Sequence, residues 1–319
     1  MLFRSCMLSV YYLSNGRFLE GSYYSAAACT LAVQCRLHQI SPDGRSMNLD
    51  GWDASFDLPP PKDNVERGER ISTFWQVFNL DRCWSVVLRR PATLPESDHP
   101  MASITTPWPQ RIADYENVSN ALVRRHVKSI AYRPHRVSQE DLDFGSGSPT
   151  IRGFFVQQGQ SNSLSGFSTA ALRVKASALY EGANRLSSSW SPRESCPALS
   201  SRPQASILIP LCHRTGSLAS GSFSENFGAF EHSIMRFITT LLPLHQIGGA
   251  IPEDKYALIV IHSLAHASMI RLHAPFMRDD GVSREKAIRA ARSLIHVTKL
   301  ISDADFEFLD PVIGVSLSP

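Results

Sequence analysis

The chain has 319 residues, 43% of them hydrophobic and 19% charged, enough to bury a sizeable core as one large domain or two smaller ones. A net charge of +3 is too small for the electrostatic footprint of a dedicated nucleic-acid binder. The densest basic cluster, Arg124, Arg125, His126 and Lys128, reads as a solvated face. No uninterrupted apolar stretch reaches the length of a membrane span.

In chain order, the N-terminal MLFRSCMLSVYYL carries one Arg and a short apolar run. Alone this pattern admits a signal peptide, but no convincing small-x-small cleavage site follows and the segment flows into further helix. The first predicted helix includes Leu8 to Leu13 and ends near Ser14-Asn15-Gly16, a turn signal. A second is predicted from about Arg17 to His38, with Ala26, Cys29, Val33, Leu37 and Ile40 at helical spacing. The small residues Ala26 to Ala28 permit close approach of a neighbouring helix. A loop from Ser41 to Lys62 follows, ending in Leu58-Pro59-Pro60-Pro61, which excludes a helix interior.

Glu69 to Pro91 is apolar nearly all the way round. Ile71, Phe74, Trp75 and Phe78 share one helical face, and Leu80, Trp84, Val87 and Leu88 cover the opposite side. Such a helix is buried in a large core or spans a membrane. Asp81 and Arg82 sit in its middle, which argues against a span. In a protein interior both charges need partners, because an unpaired buried charge is strongly destabilising. The segment predicts a central helix pinned by an ionic or hydrogen-bonded contact.

Pro91 to Gln110 is proline-rich and ends in Thr106-Pro107-Trp108-Pro109, where Trp108 reads as a loop aromatic anchored on the core. Gly145 to Asn162 turns to Gly, Ser and Gln, interrupted by Phe154, Phe155 and Val156. A helix is predicted from Thr169 to Leu186. Its Leu172, Leu179 and Leu186 recur every seven residues, too few for a coiled-coil seam, so the helix is read as packed within one domain. Ser187 to Ser206 is a Ser/Pro-rich spacer. Phe227 to Leu242 makes an amphipathic helix stopped by Pro243, Tyr256 to Leu272 another, and a last one opens at Ser283 as N-cap with Ala287, Ala291, Leu294 and Ile295 on one face. No strand pattern or fixed repeat is visible. The reading is all-α: one domain over residues 1–319, with long Ser/Pro/Gly-rich flexible loops near 145–168 and 187–222.

Little in the chain points to chemistry. Six cysteines, Cys6, Cys29, Cys35, Cys83, Cys196 and Cys212, contain no Cys-x-x-Cys pair that could converge on zinc. Cys29 and Cys83 read as small core residues, and the scattered set fits a reducing compartment. His262, His266, Met269 and His273 form one stripe, but no nearby carboxylate completes a ligand set; interhelical hydrogen bonds are the favoured reading. Asp279, Asp280 and Glu285 miss the spacing of a helical magnesium motif and flank Gly281 at a predicted turn. No nucleophile elbow, phosphate-binding glycine loop or Cys/His dyad occurs.

Arg70, Phe74, Trp75, Asp81, Arg82, Ser85 and Arg90-Pro91 resemble the signature of the fungal-specific transcription factor domain, also called the xylanolytic activator regulatory domain. Arg89 stands where that signature usually has Gly, which would allow a left-handed helix end. The stretch from Tyr11 to Ile40 resembles the family upstream of its signature, and Pro107-Trp108-Pro109 resembles its basidiomycete members. LRVKASALYEGANRL and AHASMIRLHAPF resemble its later helices, so the likeness runs from about Leu8 to Phe308. It implies a large helical regulatory domain, the middle region of a zinc-cluster regulator of RNA polymerase II transcription, in the nucleus and without enzymatic activity. In that family DNA is read by an N-terminal zinc cluster, whose spacing this chain lacks; no cofactor is expected here, and DNA contact only through that missing cluster. The signature residues Arg70, Phe74, Trp75, Asp81, Arg82, Arg90 and Pro91 are expected to be structural. The resemblance leaves open a homodimer, and a small-molecule effector or transcriptional co-regulator as partner, with no membrane. The alternative is a stand-alone helical module that binds a ligand or protein without DNA-binding activity of its own.

Overall fold

The computed structural model describes residues 2–40, 58–95, 99, 102–116, 150–156, 168–190, 223–249, 251–302 and 310–313. Its helices are α1 (Leu2–Ser14), α2 (Phe18–Gln34), α3 (Asn64–Val87), α4 (Thr150–Val156), α5 (Thr169–Ser188), α6 (Phe223–Thr240), α7 (Leu244–Ile247), α8 (Pro252–His273) and α9 (Gly281–Thr298). Short 3-10 turns follow at Leu37–Gln39 and Ala274–Phe276. No strand occurs among the described residues, so the fold is all-α.

The helices pack in a series. α9 lies on α8, α8 on α5, α5 on α3, α3 on α2, and α2 on α1, while α6 and α7 cover α8. The α5–α8 interface is the most extensive. The heptad leucines of α5 face inward: Leu172 and Leu179 are buried, as are Ala176 and Ala183, and Leu186 packs against the same core. α8 accepts neighbours on several sides. Together with the 3-10 turn after it, the stretch Asp254–Phe276 has the length and composition of a membrane span, with a mean hydropathy of 1.2 over its 18-residue apolar window, yet 78% of that window is buried. That is the position of a core helix.

α3 is buried on both predicted faces. Ile71, Phe74, Trp75, Phe78, Leu80 and Trp84 are all in the core, and only Val87 and Leu88 at its end are half-buried. It begins five residues before the predicted Glu69. Asp63 is the N-cap and accepts from Glu66 N at 2.7 Å, while Glu66 reaches back to Lys62 N at 2.8 Å. An Asp followed three residues on by Glu is a start signal legible in the sequence.

α2 ends at Gln34 instead of His38. Arg36 takes a left-handed conformation (φ 52°), and Leu37–Gln39 forms a separate turn. The turn is tied down by the strap at 104–106: Thr105 and Thr106 N–H both donate to His38 O, at 2.9 and 3.2 Å, and Thr106 Oγ1 donates to Leu37 O at 2.6 Å. The buried stripe of α2 is Gly21, Ser25, Ala28, Cys29 and Ala32, one step round from the predicted Ala26–Cys29–Val33 line.

Two other boundaries differ. α9 is capped by Asp280, which accepts from Val282 N and Ser283 N at 3.1 and 2.9 Å. A carboxylate gives charge-assisted bonds to first-turn amides and out-competes a hydroxyl. Ser283 is therefore helical and bonds His273 instead. Ile295, expected on the core face, is exposed; Ala290 and Val297 take that side with Ala287 and Leu294. Thr150–Val156 is helical inside the stretch expected to be a flexible loop, and Phe154 and Phe155 pack on the core. The basic cluster at 124–128 and residues 191–222 lie outside the described residues.

α1 and α2 close on each other through glycine. A Cβ at Gly21 would lie 2.5 Å from Leu13 Cγ and 3.0 Å from the Leu13 backbone nitrogen, and Ser9 Oγ donates to Gly21 O at 2.8 Å. Alanine gains about 1 kcal/mol of helix propensity over glycine, but overpacking costs about 1–3 kcal/mol. Gly21→Ala is expected to lower the unfolding free energy in urea titration; a gain would mean that the hairpin yields without cost.

Candidate functional site

The two charges in α3 grip one loop from both polarities. Asp81 is 1% exposed. Its Oδ1 accepts from Thr93 N at 2.8 Å, and its Oδ2 accepts from Thr93 N at 3.0 Å and Leu94 N at 2.9 Å. Arg82, 3% exposed, donates through Nη2 to Leu94 O at 3.2 Å. Adjacent residues of one helix thus receive the amide and satisfy the carbonyl of the same peptide segment. The Cys29 thiol lies against Asp81. Burial first, then the Asp81 charge and their hydrogen bond, push its pKa strongly up, so it stays protonated.

Arg82 reaches a second element as well. Its guanidinium lies over the Phe78 ring at 4.9 Å, and its Nη1 is 3.8 Å from Glu181 of α5. Arg185, one turn on, places Nε 3.3 Å from the other oxygen of Glu181. The partners demanded by the central charges are therefore the 93–94 backbone and α5.

α3 ends in a left-handed cap. Arg89 N donates to Val86 O at 3.2 Å and Arg90 N to Ser85 O at 2.9 Å, with Arg89 at φ 51°. This is a Schellman pairing, normally built on glycine at the Arg89 position. The Gly expected by the family signature has a geometric role here, and Arg89 fills it under strain.

The remaining signature residues serve the other half of the helix. Arg70 donates to Pro59 O at 2.7 Å and pairs with Glu66 at 2.6 Å, fixing the proline run beside α3. Trp75 Nε1 donates to Pro107 O at 2.7 Å, and its ring stacks on Trp108 with centroids 5.4 Å apart. Phe74 meets Trp75 edge-on at 4.9 Å. Lys175 caps the Trp108 face at 4.9 Å, and its burial pushes its pKa down to about 8. Trp108 is anchored on the core, as its sequence context suggests.

Beside the latch opens a cleft of about 1330 Å³. Its walls are the end of α3 with Arg89–Pro95, the last turns of α5, Arg271 of α8, the α1–α2 turn and Pro311. Arg82, Arg89, Arg90, Arg185 and Arg271 line it, with Glu181 the single acidic residue in the lining among the described residues. Arg271 is held by Tyr180 Oη at 3.2 Å and Asn184 Oδ1 at 3.4 Å. Arg90 Nε and Nη2 are buried and make no hydrogen bond among the described residues. Asp81, Arg82, Arg90 and Pro91 thus belong to this end of the molecule, and Arg70, Phe74 and Trp75 do not. Glu181, Arg185 and Arg271 escaped the sequence reading. The available signal was Glu181, a charge inside the small-residue run ALYEGANRL of a buried helix.

The histidine stripe of α8 ties helices together. His262 Nε2 donates to Leu242 O at 3.0 Å. His266 stacks on His262 at 6.1 Å; burial, then the neighbouring His262, push its pKa down to about 4. His273 Nδ1 meets Ser283 Oγ at 3.0 Å, and its Nε2 is 3.6 Å from Glu231, which also binds Lys286. Among the described residues no group of three His, Cys, Asp or Glu side chains could hold a metal. Asp280 caps α9, and Glu285 pairs with Arg289 at 2.8 Å.

The described residues form an all-helical fold organised around one buried, latched helix and a cationic cleft. The model of the fungal specific transcription factor domain matches residues 5–129 of the 319-residue chain. The match spans α1 to α3, the latch loop and the Trp108 strap, and so contains the whole signature. The domain is one of transcription regulators, not of enzymes. No curated protein and no solved structure matches the chain.

Two measurements check these contacts. A left-handed non-glycine residue costs about 1–2 kcal/mol, partly offset by the greater freedom of an unfolded glycine. Arg89→Gly is expected to stabilise the fold by about 0.5–1 kcal/mol in urea titration, and a loss would show that the Arg89 position carries no strain. His266 supplies the second. Unfolded, its imidazole protonates near pH 6.5; folded, it holds out to about 4. As pH falls through that window the unfolded state binds the extra proton and stability declines, by up to about 3 kcal/mol at about 1.4 kcal/mol per unit. Between pH 6.5 and 5, where carboxylates contribute least, His266→Leu is expected to lose less stability than the parent chain. Parallel pH profiles would count against a buried neutral His266.

Proposed function

We propose that this chain is the regulatory domain of a fungal zinc-cluster transcription factor, acting in the nucleus on RNA polymerase II transcription. The observation that carries the reading is the domain match over the segment that builds the latch: Asp81 and Arg82 hold the 93–94 backbone beside the arginine-lined cleft. Such a domain is regulatory when an effector changes which of two arrangements is populated, and the latch supplies the contact to be biased. In this reading DNA recognition belongs to a zinc cluster outside these residues, the chain itself carries no catalytic group, and its partner is a small effector or a co-regulator. A homodimer would use the exposed apolar side of the α1–α2 hairpin, where Phe3, Met7, Tyr11, Leu19 and Tyr23 face solvent.

The second reading, a stand-alone helical module that binds a ligand or protein, draws on the same cleft and on the absence of paired Cys-x-x-Cys spacing among the six cysteines.

A reporter assay separates the two. The full chain, fused to a heterologous DNA-binding module, is expected to change reporter output several-fold, and Asp81→Ala, which removes the latch, to shift that output at equal protein level. The unfused chain is expected to show no sequence-preferring gel shift at about 0.15 M salt. A fusion that is nuclear and abundant but leaves transcription untouched, with and without the substitution, overturns the regulatory reading in favour of the module.

A further inference from the structure

We propose that the arginine-lined cleft at the end of α3 is a binding site for a small organic anion with an apolar body and at least two anionic oxygens, as in an aryl phosphate or an aromatic dicarboxylate. The inference rests on the effector-responsive reading above and names the chemistry of its ligand.

Charge is the first argument. Among the described residues five arginines line one cleft against a single acidic lining residue, Glu181, which Arg82 and Arg185 already share. Like charges gathered beside a low-dielectric wall repel, and the arrangement is relieved when an anion enters. Guanidinium groups present paired N–H donors that match the oxygens of carboxylate and phosphate.

The second argument is Arg90. Its Nε and Nη2 are buried without a hydrogen-bond partner among the described residues. Native folds rarely leave such donors unused, and a functional role is a standard reason when they do. Backbone geometry forces Arg90 to this place: its N–H closes the helix cap on Ser85 O, and Pro91 follows at once.

The walls set the rest of the ligand. Leu13, Phe18, Trp84 and Leu94 supply apolar surface beside the cations. A volume of about 1330 Å³ exceeds what one inorganic phosphate needs and accommodates a ligand of metabolite size with water around it. Binding here would reach the latch directly. Arg82 holds both the Leu94 carbonyl and Glu181, so an anion competing with Glu181 for Arg82 and Arg185 would alter the grip on residues 93–94.

The test is calorimetric titration of the purified full chain with naphthyl phosphate and with phthalate, against neutral naphthol. At least one dianion is expected to bind saturably at one site per chain, with naphthol about tenfold weaker or worse; the tighter dianion tells phosphate from carboxylate. Affinity is expected to fall with added salt. Arg90→Gln and Arg185→Gln should each weaken binding about tenfold or more, whereas Arg284→Gln, whose guanidinium is engaged by the Met277 and Arg278 carbonyls, should not. Arg90→Gln should melt no lower than the parent chain, because the donors it removes are unpartnered; a merely structural Arg90 would lower the melting temperature. Arg185, with a side chain 54% exposed, keeps the test open if the Arg90 variant does not fold. Failure of both dianions to saturate by millimolar concentrations, naphthol binding equally well, or cleft variants binding like the parent would each overturn the proposal. The reporter response reads the regulatory function separately, so loss of one result leaves the other standing.

Discussion

Everything at the end of α3 depends on one buried carboxylate. Among the described residues no cationic side chain bonds Asp81; backbone amides of Thr93 and Leu94 and the Cys29 thiol solvate it. Amides cannot lose their protons, so this solvation persists over the whole physiological pH range. Directionality follows. An aspartate paired to an arginine would leave the loop unconstrained, whereas an aspartate solvated by loop amides converts the cost of burial into a fixed chain path. Arg82 completes the device by taking the Leu94 carbonyl, so both polar groups of that residue are held by one turn of helix.

The loop thus placed forms a wall of the cleft, where a left-handed arginine and an arginine with unpartnered donors stand side by side. Arg89 sits left-handed where glycine would be relaxed, and Arg90 keeps buried donors that no described residue pairs. Both would be removed by simple substitutions if stability alone governed the sequence. Their coincidence with the cationic lining fits a site that retains charge at the expense of stability.

Most of the helical frame was legible because it depends on periodicity and on helix stops. The apolar wrapping of α3 predicted burial, Pro243 ended the α6 segment, and Leu172, Leu179 and Leu186 marked an inward face. Boundaries set by side-chain caps were less visible. Asp63 and Asp280 each capture first-turn amides, and the sequence reading passed over both in favour of later residues. The site was half legible. Asp81 and Arg82 declared themselves by being charged within an apolar helix, but their partners did not. Backbone amides carry no sequence signature, and Glu181 and Arg271 reach the cleft from helices about 100 and 190 residues further along the chain. Only packing of α3 on α5 and of α5 on α8 brings them together.

That packing order also says how a change in the cleft would travel. Glu181 and Arg185 lie on α5, whose other face is the extensive interface with α8, and Arg271 on α8 is held by Tyr180 and Asn184 of α5. Three of the five arginines therefore report on the relative placement of α3, α5 and α8. A ligand that drew them together would act on a dense, close-packed interface, which does not deform continuously. The loop at 91–95 is held on this frame by Asp81 and Arg82. A stiff helical frame with one contact that an anion can compete for is the arrangement in which ligand chemistry is converted into a choice between two loop positions.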